Sequence, residues 1–160
     1  MARPAEDKKP PERVVAENRK AFHDYHIVET FEAGVALQGT EVKSIREGRV
    51  NLRDSYARVE GDEVFLYNVH ISAYSHRGYA DHEPTRRRKL LLHRQEIRKL
   101  IGKTVERGMT LVPIRVYFKN NRIKVAISLA KGKQAHDKRD AIRKRETDRE
   151  TRAAMKERRR

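Results

Sequence analysis

The chain has 160 residues, a formal net charge of +15, 38% charged residues and only 6% aromatic ones. It holds no cysteine, which excludes disulfides and thiolate metal sites, and no window approaches the 18 apolar residues that a bilayer-spanning helix needs. A charge of this size speaks of partners rather than of fold, and phosphate polymers are the abundant anions that reward it through counterion release.

Residues 1–17 are charged and Pro-rich and carry no apolar leader stretch, so they are expected to form a flexible arm on a cytoplasmic protein. Alternation then predicts a strand in which Ile27, Glu29, Phe31, Ala33, Val35 and Leu37 share one face, with Gly34 as a bulge. Thr40 is predicted to cap a short helix over 41–47 that turns Val42 and Ile45 inward and ends at Gly48. The stretch 56–59 leads through a Glu60-Gly61-Asp62 turn into a strand in which Phe65, Tyr67, Val69 and Ile71 share a face. A second helix over 93–101 places Ile97, Leu100 and Ile101 on one side, with Gly102 just past its end. Val112, Ile114, Val116 and Phe118 point one way. After an Asn120-Asn121 hairpin turn, Ile123, Val125, Ile127 and Leu129 do the same.

Residues 131–160 carry 13 Lys or Arg against 6 Asp or Glu, and no aromatic residue follows Phe118. This segment cannot bury a core of its own. Arg145, Arg149, Arg152 and Lys156 recur at one helical face, beside a stripe of Glu146, Glu150 and Glu157. Such a helix is marginal alone in water and gains order when phosphates neutralise the basic stripe. The expected fold is therefore mainly β: a small OB-like barrel over 18–130, with short flanking helices and a basic tail over 131–160 that is disordered or conditionally helical.

Three constellations carry chemistry. The run Arg86-Arg87-Arg88-Lys89 before Leu90-Leu91-Leu92 suits either a phosphate-contacting edge beside a core strand or a plain solvated loop. The stretch from Asn18 to His26 mixes cations, rings and amides, which suits stacking on unpaired bases. A strand start with a satisfied histidine is the competing reading, and His23, Asp24 and His26 alone lack the spacing of a metal site. The stretch from Lys131 to Arg139 joins barrel to tail, where Gly132 permits close approach to a phosphate and His136 could stack on a base; a lysine-rich linker is the alternative. No nucleophile elbow, P-loop or paired-carboxylate motif is present, so no catalytic residue, metal or cofactor is expected.

Read in order, Asn18-Arg19-Lys20-Ala21, His23-Asp24-Tyr25, Phe31-Glu32-Ala33-Gly34, Gly39-Thr40-Glu41-Val42-Lys43-Ser44, Asn51-Leu52-Arg53-Asp54-Ser55-Tyr56, Arg88-Lys89-Leu90-Leu91-Leu92, Gly132-Lys133 and His136-Asp137-Lys138-Arg139 resemble the SsrA-binding protein family, small protein B. Eight such strings in order over nearly the whole chain after the arm make the resemblance specific. It implies an OB-type barrel that grips the tRNA-like domain of transfer-messenger RNA and delivers it to stalled ribosomes for trans-translation, with the tail lying helical in the empty messenger channel. The implied protein is a monomer, one per RNA, with no membrane contact. Phe118 stands where some members have tryptophan, and Ala154-Met155 replaces a bulkier pair.

By that resemblance Asn18, His23, Glu32, Leu91, Lys124 and Gly132 fall on RNA-binding positions. Charge and sequence neighbourhood add Arg19, Lys43, Arg86, Arg88, Lys89, Lys131 and Lys133. His136, Asp137, Lys138 and Arg139 match the segment placed near the decoding centre, and Arg145, Arg149, Arg152 and Lys156 are the tail cations expected on ribosomal RNA. Truncation after Leu129 is expected to spare RNA binding and abolish tagging. A ribosomal or assembly protein with a basic tail is the main rival reading, ahead of a nuclease using His23 or His136.

Overall fold

In a computed structural model, residues 12–74, 82–106, 108–133 and 135–158 are described. Nine strands and four helices are assigned among them. The hairpin read at Asn120-Asn121 is present: both residues take positive φ, 51° and 60°, and join β8 (Met109–Lys119) to β9 (Arg122–Gly132) with Lys119 opposite Arg122. This φ pair defines the type I′ turn, whose twist matches that of the flanking strands. The Glu60-Gly61-Asp62 turn likewise joins β4 (Tyr56–Glu60) to β5 (Glu63–Tyr67), with Gly61 at φ 62°.

The large sheet runs β1-β8-β4-β5-β7-β2-β9, and β8 also pairs with β9, so six of its strands close on themselves as a barrel. Closure leaves no open sheet edge among those six. Here β2 is Tyr25–Val35 and β7 is Arg88–Leu91. β1 (Glu12–Glu17) lies along the second half of β8, so residues 12–17 are a strand and not part of a flexible arm. A two-residue ladder of β3 (Val50–Asn51) and β6 (His70–Ile71) stands apart. Phe31, Ala33, Val64, Leu66, Leu90, Leu111, Val116, Val125, Ile127 and Leu129 fill the barrel with helix residues Ile45 and Leu100. Leu52, Val69 and Ile71 complete that core, and each side chain here is at most 7% exposed.

Two expected faces are broken by bulges. Register slips between Ile27 and Glu29, so Phe31 and Ala33 face the barrel while Ile27 joins an outer cluster. A second slip between Pro113 and Arg115 sends Val112 and Ile114 outward and keeps Val116 inward. One extra residue inverts the two-residue side-chain period downstream of it. The expected bulge at Gly34 is not one. Gly34 is where β2 passes from Lys124 of β9 to Leu91 of β7, and a Cβ there would lie 3.3 Å from the Leu91 Cβ. In β5 it is Val64 and Leu66 that point in, while Phe65 and Tyr67 point out; Asn68 at φ 60° then flips the chain and returns Val69 and Ile71 to the core.

The helices depart slightly from expectation. α2 (Gly39–Arg46) is capped by Gln38, not Thr40: the Gln38 N–H donates to Glu41 Oε1 at 2.8 Å, and Gly48 at φ 77° ends the helix as read. α3 (Arg94–Thr104) continues through Gly102. α1 (Arg19–Asp24) covers the outer cluster of Val112, Ile114, Tyr117, Ala126 and Ala130 through Ala21. α4 (Ala135–Arg158) is the tail, a helix of 24 residues and about 36 Å, with exposed side chains from Ile142 onward. Because β9 pairs with β2 as far as Gly132 opposite Tyr25, and Ala130 is fully buried, a cut after Leu129 would damage the barrel; the boundary that spares it falls after Lys133.

Candidate nucleic-acid interface

Asn18 is 93% buried and works three ways inside the fold. Its Oδ1 caps α1 by accepting from the Ala21 N–H at 3.2 Å, and its Nδ2 donates to the Leu52 and Pro113 carbonyls at 3.4 and 3.1 Å. It therefore positions α1 and the surface around it. Replacing Asn18 by Ala removes a cap and leaves two buried carbonyls without this donor, which lowers unfolding free energy by about 2–4 kcal/mol. Asn18→Asp keeps the cap acceptor but sets an oxygen against both buried carbonyls, so it should lose at least as much as Asn18→Ala; urea unfolding of both variants checks this order.

Around α1 the structure gathers one group of expected site residues. Arg19 is 91% exposed at its side chain. His23 Nδ1 meets Asp24 Oδ1 at 2.9 Å, and Lys20 reaches Asp54 at 3.1 Å. The end of β9 returns here: Gly132 pairs with Tyr25, the Lys133 N–H donates to the Asp24 carbonyl at 2.9 Å and its Nζ to the Phe22 carbonyl at 3.3 Å. Lys131 is exposed beside them. The tail thus leaves the barrel at α1, next to a concavity lined by Asn18, Lys20, Asp24, Tyr25, Asp54 and Tyr56. His136, Asp137 and Lys138 lie on α4 with side chains outside the described residues. Arg139, Arg145, Arg149, Arg152 and Lys156 are exposed.

A second group lies on the outer face of β7, β2 and β9. Gly34 pairs with both Leu91 and Lys124, and Glu32 stands two residues before it on the same face. Leu91 is 53% exposed, so it is a surface residue where a strand leucine is ordinarily core. Lys89 projects from the same face and donates to Glu63 at 2.9 Å. The strand ends that flank the β8–β9 turn add Lys119 and Arg122, which share a surface hollow with Glu32, Asn120 and Lys124. Sequence reading missed Lys119 and Arg122, although both flank the turn it identified. It also missed Arg94 and Arg98, which with Leu91 line a groove between β7 and α3.

Two of the arginines expected at the RNA are paired with a carboxylate of the protein itself. Arg88 is 1% exposed; its Nε donates to Glu41, its Nη1 to the Val69 carbonyl at 2.8 Å and its Nη2 to the Pro84 carbonyl at 3.1 Å. Arg86 donates to the other Glu41 oxygen at 2.6 Å. The basic run alternates along β7, so Lys89 faces out while Arg88 faces in, and a buried carboxylate compensates the cation that enters. Arg88 is a structural residue here, with 1% of its surface left for any other partner. Lys43, on α2, lies 5.3 Å from the Tyr74 ring centre.

A family model described as SmpB protein matches residues 15–157. The chain belongs to the SmpB family. An SsrA-binding protein of Carboxydothermus hydrogenoformans is 58% identical over 147 residues, 92% of this chain and 99% of that protein. One of Halothermothrix orenii is 58% identical over 92% of this chain and 96% of its own length. A solved structure described as tmRNA-SmpB on a journey to the centre of the bacterial ribosome is 49% identical, with a TM-score of 0.66 over 80% of this chain and 94% of that one. SmpB family membership extends into the tail, since the match ends three residues short of the C-terminus.

Proposed function

We infer that this chain is the RNA-binding factor that grips the tRNA-like domain of transfer-messenger RNA and delivers it to stalled ribosomes in the cytoplasm, and that it is not an enzyme. The observation that carries this reading is 49% identity over 80% of this chain with a structure whose own description names transfer-messenger RNA and the ribosome. The barrel offers a preformed surface for a folded RNA, where stacking and 2′-hydroxyl contacts give specificity. The faces that serve are the α1 end (Arg19, His23, Lys131, Gly132 and Lys133, held by Asn18) and the β7–β2–β9 face (Glu32, Lys89, Leu91 and Lys124). The tail from His136 onward, with Arg139, Arg145, Arg149, Arg152 and Lys156, supplies generic phosphate attraction toward the decoding centre and the messenger channel. It enters only a channel free of message, because RNA already there competes for the same space and charge. The protein acts as a monomer, one per RNA.

Titration of the full chain with tRNA-like-domain RNA tests the electrostatic part. Affinity should fall about 10²- to 10³-fold from 50 to 200 mM salt, the loss expected for about five neutralised phosphates. A flat salt dependence would oppose phosphate contacts as the main source of affinity. Gradient sedimentation separates the rival reading: a structural ribosomal protein stays on all ribosomes, whereas a rescue factor collects on stalled ones with its RNA.

A further inference from the structure

Phosphate attraction calls for cations, yet the outer face of β2, β9 and β8 is built around a carboxylate. Glu32 reaches across β9 to Tyr117 of β8, over its strand partner Ala126, whose small side chain leaves the way open. The Tyr117 hydroxyl donates to Glu32 Oε2 at 2.5 Å, and its ring is 98% buried. Lys119 Nζ bridges both carboxylate oxygens at 3.2 Å each. The Tyr117 hydrogen bond holds the Glu32 carboxyl below the usual range against the opposing effect of burial, with Lys119 and Lys124 reinforcing it. Burial and the same carboxylate push the Tyr117 phenol upward, so it remains a donor.

One negative charge thus sits fixed and ionised among Lys119, Arg122 and Lys124, in a hollow whose net charge stays positive. Tyr117 is buried and its hydroxyl takes one lone pair of Oε2. Lys119 is a long side chain spanning both oxygens, in the position a ligand with two adjacent donors would occupy. A carboxylate accepts such donors in a bidentate fashion. Among the RNA bases, guanine presents two neighbouring donors, N1–H and N2–H, on one edge. Adenine and cytosine set a donor beside an acceptor there, and uracil sets its one ring donor between two acceptors. RNA is read on this edge where bases are unpaired.

We propose that Glu32 is a base-reading group for an unpaired guanine of the bound RNA, with Tyr117 as its positioning residue and Lys119, displaced from the carboxylate, joining Arg122 and Lys124 on the flanking phosphates. The proposal deepens the reading of the barrel as the RNA-gripping surface and rests on it.

The test uses the full chain and tRNA-like-domain RNA in which each unpaired guanine in turn is replaced by inosine, which lacks the N2 amino group. One replacement should weaken binding to the unsubstituted protein about tenfold, the scale of a bidentate base contact. The same replacement should change binding to Glu32→Gln or Glu32→Ala by less than about twofold, since the reader is gone. Tyr117→Phe should shrink the guanine-over-inosine ratio while leaving the slope of log affinity against log salt unchanged, which a purely structural role would not do. The idea is overturned if every inosine RNA loses equally with all proteins, or if the variants bind all RNAs more weakly with the ratio intact. Thermal unfolding of each variant confirms that it is folded. Failure of the unsubstituted protein to bind the RNA at all would instead strike the proposed function.

Discussion

Removing residues 134–160 leaves binding of tRNA-like-domain RNA changed by less than about tenfold at 150 mM salt and abolishes addition of the degradation tag on ribosomes stalled at a message end. The removed segment carries 11 Lys or Arg and 6 Asp or Glu, so its net attraction is modest and is screened beyond about 8 Å. Among its described side chains, those from 142 to 158 are exposed. The cut after Lys133 preserves the pairing of Gly132 with Tyr25 and the bond from the Lys133 N–H to the Asp24 carbonyl. Anisotropy titration measures the first quantity, and mass spectrometry of peptides from a reconstituted translation of a stop-less message measures the second. Equal loss of both activities would contradict separate roles for barrel and tail.

Glu41→Gln lowers unfolding free energy by about 3–5 kcal/mol at pH 7, the scale for breaking a buried ion pair by removing one partner. Glu41 is fully buried with Arg86 on one oxygen and Arg88 on the other, so the neutral amide strands two cations. Arg88 also ties the Val69 and Pro84 carbonyls, so the damage spreads from α2 to the segment before β7. Burial by itself raises the Glu41 pKa, but hydrogen bonds from Arg86, the Gln38 N–H and Arg88 more than offset it, and the net shift is downward from the ordinary 4.5. A carboxyl with a lowered folded pKa contributes stability that is present above the unfolded value and drains away as pH falls through the folded one. The gap between the parent chain and Glu41→Gln should therefore be widest above about pH 5 and narrow on acidification. Guanidinium unfolding at pH 7 and pH 4 checks both the size and the direction; a gap that grows in acid would contradict the assignment.

The local grammar of the chain was legible where one residue type dictates geometry. Asn120-Asn121 announced its hairpin, Gly61 its turn and Gly48 its helix end, since positive φ suits these residues. The inward set of β9 was equally plain, because no bulge interrupts its own alternation. What failed was parity over distance. The slips near Val28 and Ile114 and the flipped Asn68 each invert a face, and nothing in the apolar pattern marks them. The site was legible mainly as a family resemblance. Charge alone put Arg88 on the surface, yet a buried Glu41, 47 residues earlier in the chain, draws it inside. Glu32 was found, but the tyrosine that fixes it lies 85 residues away and is visible only when β2, β9 and β8 are side by side.

The central claim is that a fixed cationic barrel selects one folded RNA. Sequencing the RNA crosslinked to the full chain in growing cells tests it most directly. The account predicts one dominant species ending in a tRNA-like fold, with crosslinks on the barrel at α1 and on the β7–β2–β9 face. Recovery of ribosomal RNA from all ribosomes without that species would contradict it.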